Sequence, residues 1–115
     1  LDQADASHIK EKYSDEVETI IKGLVSHQIR LPKEVWTAFA NHVVVMFMRV
    51  DRNGQLNEQL PDESDQQVSQ LAKSIATEIL LPIENSIGVK INEFELFLFA
   101  LYIEISINQK GGEEQ

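Results

Sequence analysis

His42 lies inside the longest apolar run of the first half of the chain, Trp36 to Val50, read as WTAFANHVVVMFMRV, and Arg49 follows it by seven residues. On a helix, positions seven apart fall within about 20° of each other. His42 and Arg49 therefore share a face with Val35, Phe39 and Met46. A neutral imidazole nitrogen is a fair nucleophile near neutral pH, and a guanidinium on the same face is a ready partner for any negative charge the ring acquires. A phosphoryl group on that ring would add roughly two negative charges to an apolar stripe, a change that a packed helix pair would feel. The same placement also suits a histidine that fills the core and bonds a backbone carbonyl or a facing glutamate. Arg49, likewise, reads either as a phosphate clamp or as the solvated end of its helix. An enzymatic reading would pair His42 with Glu78 or Glu95 as acid and base. It finds no glycine-rich phosphate loop, nucleophile motif or metal-ligand spacing to support it, so neither an enzyme nor a cofactor is expected.

The elements that must position these residues read as helices throughout. Asp5 or Ser7 can cap a first helix in which Ile9, Tyr13, Val17, Ile20, Ile21, Leu24 and Val25 recur at spacings of three and four, an amphipathic stripe of about five turns. Arg30-Leu31-Pro32 marks a break. A central helix is expected from Pro32 or Lys33 to Asp51, apolar over most of its circumference and so sandwiched between neighbours. Asn53-Gly54 is a strong turn signal, after which Leu56 and Leu60 are expected to pin the loop to the core. Pro61-Asp62-Glu63-Ser64 reads as the start of a third helix. Its stripe runs from Val68 to Ile87, with a kink or division at Pro82 and Gly88 as a left-handed cap. In the final stretch, EFELFLFALYIEISIN, the uninterrupted apolar run Leu96 to Ile103 is far shorter than the roughly 20 residues a bilayer span needs. Although its β-branched and aromatic content admits a strand, 16 residues without a turn signal read as a buried helix. Within it Glu95 and Tyr102 share a face and read as core plus a buried hydrogen bond. The fold class expected is all-α, a bundle of four to five helices.

Composition bounds the rest. The 115 residues suit one domain, 1–115, with an ordered core of about 5–109 and a flexible tail at 110–115. The chain contains no cysteine, which excludes disulfides and thiolate metal sites. His8 and His27 have no second histidine at ligand spacing, so they are expected to face solvent and no metal site is expected. The net charge is −9, and from Asp62 onward ten acidic residues face only Lys73, Lys90 and Lys110. Phosphate backbones and anionic membrane surfaces need clustered Lys and Arg, so direct binding to nucleic acid or membrane is not expected. Leu1 in place of Met fits a trimmed or excised segment, the first eleven residues do not resemble a signal peptide, and a cytoplasmic location is the default. Two helices that are apolar nearly all round exceed what one small core covers, which points to a homodimer interface, with a loop such as Arg52 to Pro61 as the alternative cover.

The stretch Ala40-Asn41-His42-Val43 followed by Arg49, the turn Asn53-Gly54-Gln55-Leu56-Asn57 and the closing Phe94 to Ile103 resemble the PRD, or PTS regulation domain, over roughly Ser14 to Asn108. The resemblance implies an all-helical, dimer-forming module of bacterial transcription antiterminators and activators. In such modules, sugar-phosphotransferase proteins phosphorylate histidines and so shift dimerisation. It makes His42 the first phosphorylation candidate and Arg49 the arginine that follows two turns later. It also implies a phosphocarrier protein or a sugar-specific enzyme II component as partner. Asn41 stands where an acid commonly precedes that histidine. Tyr102, in the segment that opens with Glu95, replaces the second histidine, so the second site is degenerate. A PRD-like dimerisation or adaptor module that has lost phosphoryl control is the alternative.

Overall fold

The computed structural model describes residues 3–62 and 67–113, with side chains through residue 109. Those residues form α1 (Gln3–Lys12), α2 (Ser14–Ser26), α3 (Lys33–Asp51), α4 (Gln70–Ile87) and α5 (Glu93–Glu113), with no strand among them. α1 lies on α3, α2 packs on α4, and α4 packs along α5, which also meets α3. The core fills from all sides. Phe47, Phe99, Met46, Leu80, Ile83 and Ile103 are almost wholly withdrawn from water, each worth roughly 1.5–3 kcal/mol of transfer free energy. No described helix is long and apolar enough to cross a membrane.

The first amphipathic stripe does not form one helix as its periodicity predicts. It is interrupted at Tyr13, whose φ of −108° and ψ of 23° leave helical geometry. The backbone bonds on either side persist, from Tyr13 N–H to the Ile9 carbonyl and from Val17 N–H to the Tyr13 carbonyl. The cause is tertiary. The Tyr13 ring stacks on Phe47 with centroids 4.8 Å apart, and its hydroxyl donates to the Asp51 carboxylate at 2.8 Å. Lys12 pairs with the same carboxylate, and Arg52 with Asp5 at 3.2 Å. These contacts turn α1 onto α3 while α2 continues toward α4, where Gly23 comes against Ile79 so closely that a Cβ would meet its Cγ1 at 3.0 Å.

α2 also ends earlier than the proline signal implies. Gln28 takes a left-handed φ of 58°, and Ile29 N–H reaches back to the Leu24 carbonyl at 2.8 Å. This is a Schellman closure with a buried apolar residue just beyond it. α3 has the predicted bounds and ends in the same way, with Asn53 at φ 54° and Gly54 N–H on the Arg49 carbonyl at 2.7 Å.

α4 begins at Gln70 and not at Pro61 to Ser64; positions 61, 62 and 67–69 are not helical, and the rest of that signal, 63–66, lies outside the described residues. The cap is Ser69, whose Oγ accepts from Ala72 N–H at 3.1 Å. Glu104 of α5 accepts from the Ser69 N–H at 2.7 Å, which ties the cap to its neighbour. Pro82 does not divide the helix. It is exposed, next to exposed Leu81, so its missing donor falls on the side that water can serve. Gly88 closes α4 at φ 69°, as expected. α5 continues as helix to Glu113, beyond residue 109, where the ordered core was expected to end.

Candidate functional site

α3 and α5 meet in rungs. His42 of α3 lies against Tyr102 of α5, ring centroids 5.5 Å apart, and seven residues later Arg49 meets Glu95, seven residues before Tyr102. The two helices are thus antiparallel along this seam, with the two pairs two turns apart. Phe39, one turn before His42, meets Tyr102 edge-on at 5.3 Å and Phe99 at 5.4 Å, closing the seam above the histidine.

The imidazole is half-buried, and its Nε2 is out of contact with solvent and has no hydrogen-bond partner among the described residues. A buried orphan nitrogen is uncommon, because it forfeits its bond to water without recovering one. Burial pushes the ring's pKa below 6.5; the Arg49 charge acts in the same direction, and Glu95 opposes both. His42 is consequently neutral at physiological pH, with its unprotonated nitrogen retaining a lone pair.

Arg49 is neither a free clamp nor a solvated end. Its Nε donates to Glu95 Oε2 and its Nη2 to Oε1, each at 2.7 Å, a bidentate pair. Glu95 has no exposure at all, and it also accepts the Leu56 backbone N–H at 3.1 Å. The hydrogen bonds of the Glu95 carboxylate thus go to Arg49 and Leu56, while Tyr102 packs on His42 and Phe39.

Sequence reading missed the residues that complete this arrangement. Asn92 caps α5 by accepting from Glu95 N–H at 2.9 Å, and its amide donates to the Leu56 carbonyl at 2.6 Å. Gln55 accepts from Asn92 N–H at 3.0 Å and donates to the Lys90 carbonyl at 3.0 Å. The signal was Asn92 three residues before Glu95, the spacing of a capping box. Here the acid turns to Arg49 and not back to its own cap.

The structure brings His42, Arg49, Tyr102 and Glu95 to one seam. Asn41 is exposed on another side of α3, beside Ala6, Lys10 and Trp36. Glu78 lies elsewhere, 3.2 Å from Nε2 of His27 across the α2–α4 contact, so it does not pair with His42, and His27 is partly covered and partnered. His8 is exposed. No group of three or more His, Asp or Glu residues among the described residues is arranged to hold a metal ion.

The PRD domain family model matches residues 24–106. The chain belongs to the PRD domain family. The match takes in the end of α2, all of α3 and α4 and most of α5, so every residue of the α3–α5 seam lies within it, while α1 lies outside. PRD domains are PTS regulation domains of antiterminators and activators, and the all-helical fold agrees with that membership. No curated protein and no solved structure matches the chain.

Proposed function

We propose that this PRD domain is a homodimeric, cytoplasmic regulatory module in which His42 accepts a phosphoryl group from a phosphohistidine of a sugar-phosphotransferase protein. The donor is a phosphocarrier protein or an enzyme II component. The observation that carries this reading is the neutral imidazole with an unpartnered nitrogen at the α3–α5 seam, beside the Arg49–Glu95 pair. In the transfer, the lone pair of a neutral ring nitrogen forms the new N–P bond as the donor's N–P bond breaks, and the bonding pair returns to the donor nitrogen. Nε2 is closed off, so attack from that nitrogen requires the seam to part at Tyr102. The product carries about two negative charges where apolar side chains meet, and that charge alters the dimer. With its acidic surface the module does not itself hold nucleic acid.

Tyr102 favours a second reading. The residue at the place of the second family histidine is a tyrosine that packs on His42, and a module kept for dimerisation or adaptor contacts alone would tolerate it. Incubation with phosphorylated phosphocarrier protein separates the two. Label on the wild type that disappears in His42→Ala supports the acceptor reading. An unlabelled wild type overturns it in favour of the adaptor, and undiminished label in His42→Ala overturns it by placing the phosphoryl group on another residue.

A further inference from the structure

A second set of contacts leaves the same seam and ends in the connection between α3 and α4. Glu95 is shared between the Arg49 guanidinium and the Leu56 amide. Leu56 is also held through its carbonyl by Asn92, and Gln55 bridges Asn92 to Lys90. One fully buried carboxylate therefore joins Asn92 and Gln55 in fastening the 54–57 turn to the start of α5, and Arg49 is the cation that pairs with it among the described residues.

That cation is placed to be taken away. His42 lies two turns back along the face of α3 that Arg49 shares, and the Arg49 charge is already felt at its ring. Any anion at position 42, a single carboxylate or a phosphoryl group of about two charges, would compete with Glu95 for that guanidinium. We propose that Glu95 is a positioning residue that holds Arg49 in reserve, and that a charged group on His42 draws the guanidinium away. Glu95 then loses the partner that made its burial tolerable, its bond to Leu56 N–H fails, and the 54–57 turn is left on the Asn92 and Gln55 bonds alone. The state of His42 is thereby passed to the α3–α4 connection inside one subunit. This inference rests on the acceptor reading for its biological trigger but not for its test.

A guanidinium carries five N–H donors, and an Arg49 that bridged both acids at once would leave the Leu56 amide closed. Exchange of that amide with deuterium, followed by NMR on the full chain, tells the two cases apart. His42→Glu places a carboxylate on the inner face of α3 without any donor protein, and His42→Gln is its neutral isostere. The expected result is Leu56 exchange roughly tenfold or more faster in the Glu variant than in the Gln variant, the worth of one bond to a charged acceptor, with the amides of Leu80 and Ile83 unchanged. Equal Leu56 exchange in the two variants overturns the proposal. Should the Glu variant not fold, the wild type treated with potassium phosphoramidate, a small phosphoryl donor, gives the same comparison: label on His42 with Leu56 still protected also overturns it. Failure of phosphocarrier labelling would remove the acceptor reading alone, whereas equal exchange would remove the latch alone.

Discussion

At the scale of single residues, the α3–α5 seam contains one charge that is costly if left alone. Glu95 has no exposure and relies on Arg49, which is itself 18% exposed. Removing one partner of a buried pair strands the other, at about 3–5 kcal/mol. Arg49→Met should lower the unfolding free energy, read from urea titrations, by that amount. The double variant Arg49→Met, Glu95→Met should recover most of the loss, keeping only the cost of an unpaired Leu56 amide, about 1–3 kcal/mol. Equal losses in the single and double variants would mean that stranding Glu95 carries no extra cost. His42 makes a prediction with a definite sign. Its folded pKa lies below the 6.5 of a free imidazole, first through burial and then through Arg49. The unfolded chain therefore takes up this proton first, and stability, level above about 6.5, falls as the pH drops from there through the folded value. His42→Phe deletes this portion of the acid slope. Denaturant midpoints at several pH values between neutral and mildly acid should converge or cross in favour of the variant toward acid, and parallel slopes would contradict the burial argument.

At the scale of elements, Tyr13 decides how α1 is used. Burial, and then the bond to Asp51, push its hydroxyl up to about 12 from 10.0. Because the unfolded tyrosine ionises first, stability is complete below 10 and is lost as the pH rises through about 12. Tyr13→Phe keeps the stack on Phe47 and loses the bond to Asp51. It should cost about 1 kcal/mol at neutral pH and make the alkaline decline in midpoint shallower than in the wild type. An unchanged alkaline decline would detach Tyr13 from the α1–α3 contact. This helix break could not be seen in the sequence, because the stripe from Ile9 to Val25 is regular and the reasons to leave it, Phe47 and Asp51, come more than thirty residues later. α3 was legible because its capping chemistry is local: Lys33 follows Pro32, and Asn53-Gly54 supplies the left-handed closure. The start of α4 was not. Asp62 and Glu63 imitate an acidic first turn, whereas the cap is Ser69, held by Glu104. The site divides in the same way. Intervals of seven put His42 with Arg49 and Glu95 with Tyr102, each pair on one helix, and no pattern on either helix states that the two intervals run antiparallel and join rung to rung.

At the scale of the whole molecule, the question is how the half-buried His42 ring would communicate with the second subunit of the proposed dimer. Aromatic contacts supply a route, since Trp36 meets Phe39 at 5.7 Å, Phe39 meets Tyr102 at 5.3 Å, and Tyr102 meets His42 at 5.5 Å. Trp36 is 39% exposed at an apolar cleft of about 330 Å³ between α1, α2 and α3, which Val17, Ile21 and Val43 also line, and Ile21 is 41% exposed. Large aromatic residues on an apolar surface are characteristic of interface centres, and this face is rigidly connected to the seam in which His42 sits. If the proposed dimer closes over it, the single tryptophan becomes its reporter. Dilution should shift the Trp36 emission to longer wavelength in step with the fall in sedimentation coefficient. Ile21→Asp, which charges a side chain the single subunit leaves half in water, should give the diluted spectrum at every concentration with an unchanged helical circular dichroism signal. A sedimenting dimer whose Trp36 emission does not respond to dilution would move the interface to another face, such as the exposed Leu71 and Leu81 of α4, and His42 would then lack this aromatic path to its partner.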